Sequence, residues 1–253
     1  MPQILLEDEK LKLTNLSKVL WPDDNITKAD FIKYYAQIAH VILPHLKDRP
    51  MVFTRYPDGI YGKAFYQKNV PHYAPEWLKT VKIESDEGNI TEYVVINDIK
   101  SLIWAANQAS LELHPWLSRI SSLDNPDYVV FDLDPMENTD FQDVRKVALA
   151  LRDLLEMEGL VSFPKTSGST GIQVYLPIAC KYTYQQAREF AKLFCLAIER
   201  TFLDIATTER SVSKREGKLY LDYLQNVKGK TIVAPYSPRP KKGAPVSCPI
   251  TWE

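Results

Sequence analysis

An α+β fold is predicted by three observations. The second half of the chain reads strand, helix, strand, strand, helix, strand; its two middle strands flank a glycine-punctuated turn, "TSGSTG"; and its first strand, "YVVFDLDP" (128–135), ends in two aspartates one residue apart. That β-α-β-β-α-β order is the split βαβ unit of ferredoxin-like and RNA-recognition-motif folds. An α/β module precedes it. With no repeat, no low-complexity tract and no Gly/Ser or Pro-rich linker, we expect one domain over residues 1–253, built from an N-terminal module (1–120) and a second module (121–253).

In the N-terminal module, "ITKADFIKYYAQIAHVI" carries Thr27 and Asp30 at capping-box spacing, then Phe31, Tyr34, Tyr35, Ile38 and Val41 at helical spacing. "RPMVFTRYP" and "TEYVVIN" read as strands, the second leading into a helix around "DIKSLIWAANQAS". In the second module "DYVVFDLDP" is a strand, and the helix "TDFQDVRKVALALRDLLEMEGL" aligns Phe141, Val144, Val147, Ala148, Leu151, Leu154 and Leu155 before stopping at Gly159. "VSFPK" and "IQVYLPI" are strands, "TYQQAREFAKLFCLAIER" is a helix, and "KLYLDYLQN" is the last strand.

Composition excludes several classes. The 253 residues are 45% hydrophobic and 25% charged, as in an ordinary globular protein rather than a disordered or fibrous one. No apolar run approaches the roughly 20 residues that span a bilayer, and "MPQILLEDEKLKL" lacks a signal-peptide layout, so a cytoplasmic location is expected. Three cysteines, Cys180, Cys195 and Cys248, without CxxC spacing, argue against a disulfide framework and a cysteine zinc site. A net charge of -1 does not advertise nucleic-acid binding, but acid collects in "EDE" (7–9) and "ESDE" (84–87), and base in "SKRE" (213–216), "VKGK" (227–230) and "RPKK" (239–242).

In a β-α-β-β-α-β sheet the first strand lies between the third and the fourth. Asp132 and Asp134, the "SGSTG" turn and "SKREGK" therefore converge on one edge. Strand alternation puts Val129, Phe131 and Leu133 on one face and Asp132 and Asp134 on the other, with Asp222 on the neighbouring strand. Carboxylate oxygens suit Mg²⁺ or Mn²⁺, and a pair of such ions activates an attacking oxygen and stabilises a leaving one. The loop Lys165–Gly171 offers backbone N–H groups and the Ser167 hydroxyl to a triphosphate, and Lys214 and Arg215 offer positive charge. Three readings stand side by side: a metal-dependent nucleotidyl transferase, a haloacid-dehalogenase-like phosphatase with Asp132 as nucleophile, and a non-catalytic RRM-like nucleic-acid-binding module. The phosphatase lacks its Thr, since Met136 stands two residues beyond Asp134, and lacks a later acidic pair. The binding module usually displays aromatics where this sheet displays carboxylates.

The motifs "SKVLWP", "TKADFIKYY", "LPHLKDRPM", "RYPDGIYGKAFYQKN", "SLIWAANQASLELHPW", "YVVFDLDP", "FPKTSGSTG", "LDYLQN" and "APYSPR", taken in order, give the chain its resemblance to the polymerase domain of bacterial and archaeal DNA ligase D, of the archaeo-eukaryotic primase superfamily. The resemblance covers nearly the whole chain. It implies a primase-polymerase fold with the βαββαβ module as catalytic module, and a template-dependent polymerase and primase that prefers NTPs over dNTPs. Such an enzyme uses two divalent metals, Mn²⁺ or Mg²⁺, and fills gaps at broken DNA ends in non-homologous end joining.

Carried over position by position, the resemblance assigns metal binding to Asp132, Asp134 and Asp222. It assigns nucleotide contacts to Tyr66, His114, Ser167, Thr170, Gln173, Arg215, Gln225 and Arg239. Contacts to the downstream 5′-phosphate and the template fall on Asn15, Lys18, Lys28, Arg55, Phe65 and Lys68. It further implies DNA with gaps, overhangs or broken ends as partner, together with Ku and an ATP-dependent DNA ligase, a nucleoid-associated location, and no membrane. Many relatives have "SGSKGLH", so Thr170 and Gln173 stand where those have Lys and His, and Thr54 stands where many have Lys.

Overall fold

The computed structural model describes residues 3–6, 9–85, 87–137 and 139–253, so Glu7, Asp8 and Asp86 of the acidic runs lie outside the described residues. The chain divides into two compact units, residues 1–116 with 233–246, and residues 117–232 with 247–253.

Unit 1 begins with a hairpin of β1 (Gln3–Leu6) and β2 (Glu9–Lys12), followed by the short pair β3 (Val19–Trp21) and β4 (Ile26–Thr27). Helix α1 (Lys28–Leu46) starts as its sequence dictates: the Thr27 side chain accepts from the Asp30 N–H, and Asp30 accepts from the Thr27 N–H. Its buried stripe is Phe31, Ile32, Tyr35, Ala39, Ile42 and Leu46, so Tyr34, Ile38 and Val41 flank the core instead of filling it. The expected strands are β5 (Pro50–Arg55) and β8 (Ile90–Val95); β6 (Phe65–Gln67) and β7 (Thr80–Glu84) complete the order β6-β5-β8-β7. Helix α2 (Ile99–Asn107) leads to β9 (Ser110–Pro115), which pairs with β5 so that His114 faces Val52 and Glu112 faces Thr54.

The segment 233–246, assigned from sequence to the second module, belongs to unit 1. Hydrogen bonds hold it there: the Ala234 N–H donates to Leu113 O at 2.8 Å, the Leu113 N–H to Ser237 Oγ at 3.0 Å, and the Trp21 indole to Arg239 O at 3.1 Å. Nothing in residues 233–246 marks these partners, which lie more than 100 residues away in sequence.

Unit 2 has the expected order: β10 (Tyr128–Asp134), α3 (Phe141–Met157), β11 (Phe163–Thr166), β12 (Ile172–Pro177), α4 (Tyr184–Thr201) and β14 (Leu219–Asp222). A further strand, β13 (Ala206–Thr207), runs parallel to β14 and extends the sheet to β11-β12-β10-β14-β13. Val129, Phe131 and Leu133 join Val144, Val147, Ala148, Leu151 and Leu155 of α3 and Ala191 and Cys195 of α4 in one core. Phe141, placed on that stripe from sequence, is 46% exposed, because it occupies the first turn beyond the reach of the sheet.

The last strand is shorter than predicted. β14 ends at Asp222, whose Oδ1 accepts from the Leu224 N–H at 2.8 Å and so starts a 3-10 turn over Tyr223–Gln225. Beyond that turn the fully buried Asn226 takes over the ladder: its Oδ1 accepts from the Val130 N–H at 2.8 Å and its Nδ2 donates to Val130 O at 2.7 Å.

Gly171 closes the "SGSTG" turn against β10. A Cβ built there would stand 2.2 Å from Leu133 O, between the two aspartates in sequence. Gly171→Ala should therefore force β10 and the turn apart and destabilise the protein by on the order of 3 kcal/mol. Chemical denaturation measures this, and an unchanged midpoint contradicts it.

Candidate active site

Two ladders define a row across the sheet of unit 2. Asp132 has Gln173 on β12 and Asp222 on β14 as direct cross-strand partners, and Gln173 in turn faces Lys165 on β11. These four polar residues stand abreast on the face opposite Val129, Phe131 and Leu133. Asp134, two residues on, shares that face and pairs with Tyr220.

Three carboxylates so placed repel one another, and each has acquired donors or a cation. Asp132 accepts from Gln173 Nε2 at 3.1 Å and has Gln225 Nε2 at 3.5 Å. Asp222 Oδ1 accepts from the Tyr220 hydroxyl at 3.2 Å as well as from its own turn. Burial pushes Asp132 up to about 6; Gln173 pulls it back, while the charges of Asp134 and Asp222 push it further. Asp134 is raised too, chiefly by desolvation and against the pull of Arg215. Among the described residues, no group of three or more His, Cys, Asp and Glu side chains is arranged so as to hold an ion. The expected triad is in register along the backbone, while its oxygens are turned to these donors. Hard oxygen donors crowded until one of them resists ionisation are the chemistry a divalent cation matches, because its charge offsets their repulsion.

Around this row, Arg215 is fixed and Lys214 is exposed. The Arg215 guanidinium donates to Glu209 O and Arg210 O at 3.0 Å each and lies 3.8 Å from the centre of the Tyr220 ring. In the turn, Ser167 is buried, and its Oγ accepts from the N–H groups of Ser169 and Gly171 at 3.1 and 3.0 Å. Two of the N–H groups expected to face a phosphate are thus spent on the turn itself. Thr170 stands exposed at its tip.

The remaining expected residues lie in unit 1, in three clusters. Asn15, in a left-handed conformation, closes a turn with Lys18, and the Lys28 N–H donates to Lys18 O at 2.7 Å, so all three gather at the N-terminus of α1. Lys18 Nζ donates to Asp58 Oδ1 at 2.9 Å and to Pro57 O at 2.7 Å, and Lys28 Nζ to Thr14 Oγ1 at 3.1 Å. Burial, then the charges of Lys18 and Arg55, bring Lys28 down to about 8.

In the second cluster Phe65 and Tyr66, 47% and 60% exposed, line a cavity of about 600 Å³ with Arg55, Pro57, Gln67, Lys68 and Asn69. Arg55 is held by Gln108, Gln67 and Tyr73. In the third, Arg239 Nε donates to Glu112 Oε1 at 2.8 Å, Glu112 Oε2 lies 3.5 Å from His114 Nε2, and that nitrogen is 3.1 Å from Thr54 Oγ1. Glu112 joins two expected nucleotide contacts without having been singled out from sequence. Its one signal is the i, i+2 spacing to His114, which puts both on one face of β9. Lys165, read from sequence as the start of the phosphate loop, lies in β11, and only the strand register brings it to Gln173.

The model of the LigD primase-polymerase domain matches residues 27–253. The chain belongs to this family. It is similar to the bifunctional non-homologous end joining protein LigD of Bacillus subtilis, 38% identical over 244 residues, and to the multifunctional LigD of Mycolicibacterium smegmatis, 36% identical over 247. These alignments cover 96% and 97% of the chain but 39% and 32% of the relatives, so the chain spans well under half the length of the curated relatives it matches. The polymerase domain of Mycobacterium tuberculosis ligase D, solved in complex with DNA, has a TM-score of 0.91 and 36% identity over 96% of this chain and 87% of that one. Its mixed α+β architecture is the one described above.

The crowded aspartate has a measurable cost. With Asp132 at about 6 in the folded protein against about 3.9 unfolded, its ionised form opposes folding above pH 6, and the cost disappears below about pH 4. In divalent-free buffer at about pH 7.5, Asp132→Asn should raise the unfolding free energy by about 1–3 kcal/mol, and the gain should vanish near pH 4. Denaturant titrations at the two pH values measure it, and a destabilised variant at the higher pH contradicts it.

Proposed function

We propose that this protein is a template-dependent nucleotidyltransferase that fills gaps at broken DNA ends during non-homologous end joining, preferring NTPs. The observation that carries the proposal is the row of carboxylates, Asp132 opposite Asp222 with Asp134 beside them, on the face of the unit 2 sheet opposite its helix-packed core. Asp132, Asp134 and Asp222 are the residues that would hold divalent cations, Mn²⁺ or Mg²⁺. When bound, such ions lower the barrier to attack of a primer 3′-hydroxyl on the NTP α-phosphate and neutralise charge on the departing pyrophosphate.

The chain's own side chains set the stage for that step. Gln173 and Gln225 orient Asp132, Tyr220 and the Leu224 N–H hold Asp222, and Arg215 faces Asp134 with a fixed positive charge. In unit 1 we assign His114 and Arg239, tied through Glu112, to nucleotide contact, and the exposed Phe65 and Tyr66 to base stacking, with Arg55 and Lys68 beside them on the DNA. Asn15, Lys18 and Lys28 at the N-terminus of α1 suit a 5′-phosphate, since a helix N-terminus and two ammonium groups favour an anion there.

The relative with a solved structure was captured with DNA, and the longer relatives are named for end joining, which supports DNA with gaps or overhangs as substrate. Ku, an ATP-dependent ligase, and a cytoplasmic, nucleoid-associated location belong to the same proposal. None of the helices among the described residues is long and apolar enough to cross a membrane.

Primer extension with labelled primer–template, NTPs and Mn²⁺ tests the reading. Asp132→Ala and Asp222→Ala should each reduce extension at least about 1,000-fold with DNA binding retained, whereas extension by the double variant would refute it. The phosphate pocket has its own signature in pH. Since Lys28 loses its proton above about 8, the preference for gapped DNA with a 5′-phosphate over the same DNA without one should shrink between pH 7 and 9. Lys28→Arg, charged throughout, should flatten that profile; a pH-independent preference in the unmodified protein removes Lys28 from the pocket.

A further inference from the structure

Lys165 is 2% exposed and has no role in the chemistry above. Its Nζ donates to Gln173 Oε1 and, at 2.5 Å, to Ser247 Oγ, with the centre of the Tyr175 ring 5.8 Å away. Gln173, 4% exposed, uses the other end of its amide on the carboxylate, donating from Nε2 to Asp132 Oδ1 at 3.1 Å. The two ends of an amide differ, and one orientation satisfies both neighbours: carbonyl oxygen toward the ammonium, NH₂ toward the carboxylate. The reverse would set NH₂ against ammonium and carbonyl oxygen against carboxylate.

A direct lysine–carboxylate pair would cover Asp132. With an amide interposed, the ammonium polarises the amide, the amide grips one carboxylate oxygen, and the other faces the Gln225 side of the row. The strands enforce the spacing, because Lys165, Gln173 and Asp132 are successive cross-strand partners on β11, β12 and β10.

We propose that Lys165 and Gln173 form a polar strut that orients Asp132 for a divalent cation, with Gln173 as the positioning residue and Lys165 fixing the sense of its amide. The strut rests on the reading of Asp132 as a metal-holding carboxylate. Ligand-orienting partners of this kind change metal affinity about 10–100-fold when removed.

The test uses the full chain and reads Mn²⁺ affinity directly by calorimetric titration, alongside thermal midpoint, half-saturating Mn²⁺ in primer extension, and kcat and KM for NTP. Gln173→Leu keeps every formal charge and removes only the strut, so Mn²⁺ affinity should fall about 10–100-fold. The half-saturating Mn²⁺ in primer extension should rise in parallel. Gln173→His, whose ring offers one acceptor and one donor nitrogen, should recover most of the loss. Gln173→Met, closest in length, is read the same way if the leucine variant does not fold. A folded Leu or Met variant with unaltered Mn²⁺ affinity, or a His variant as weak as Leu, overturns the strut. Asp132→Asn separates the two levels: if it too leaves Mn²⁺ binding and extension intact, the metal reading of Asp132 has failed; if it abolishes both while Gln173→Leu changes neither, only the strut has.

Discussion

The ladders that β10 makes on both sides hold an acidic strand end in the middle of a sheet, and the rest of unit 2 is arranged around that constraint. Pairing with β12 brings Gln173 beside Asp132, and pairing with β14 brings Asp222. Because the apolar alternates Val129, Phe131 and Leu133 are locked into the helix-facing core, β10 cannot slip by one residue without turning its carboxylates inward. Hydrophobic burial on one face thereby sets electrostatic position on the other. The cost is a carboxylate held well above its ordinary range, tolerated because donors from four directions in sequence (Gln173, Gln225, Tyr220 and Leu224) serve the group of aspartates.

Unit 1 solves a similar problem with a chain of contacts. Glu112 is 6% exposed and lies between a guanidinium and an imidazole, so its charge is desolvated but answered. Desolvation pushes it up, yet His114, Arg239 and Thr54 outweigh that and leave it below its ordinary value. A single buried anion thus fixes the separation of two cationic or hydrogen-bonding groups on different segments, which a pair of independent surface side chains would not keep.

Local rules made part of this architecture legible. The Thr27–Asp30 capping box, the strand alternation of "YVVFDLDP" and the stop at Gly159 depend on neighbours a few residues away, and they are where the sequence places them. Asp132 was grouped with Asp222 by strand order and alternation, and Lys18 with Lys28 by family pattern; strand register in the first case and a backbone hydrogen bond in the second bring them together. What escaped depends on distant partners. The two-residue strand β13 has too few residues to carry a period, Phe141 has helical spacing but no sheet beneath it, and Asn226, read as the end of the last strand, serves β10 through its side chain, which bonds Val130. Lys165 reads as part of the phosphate loop, and only the register across three strands reveals its neighbour.

The return of residues 233–246 to unit 1 constrains how such a protein can be inherited. Tyr34, Trp21 and Leu113 donate hydrogen bonds to Tyr236, Arg239 and Ser237, so the first unit is completed by residues encoded after nearly all of the second. During synthesis those donors are left to water until more than 230 residues have been made. No single crossover between genes can exchange one unit and leave the other whole.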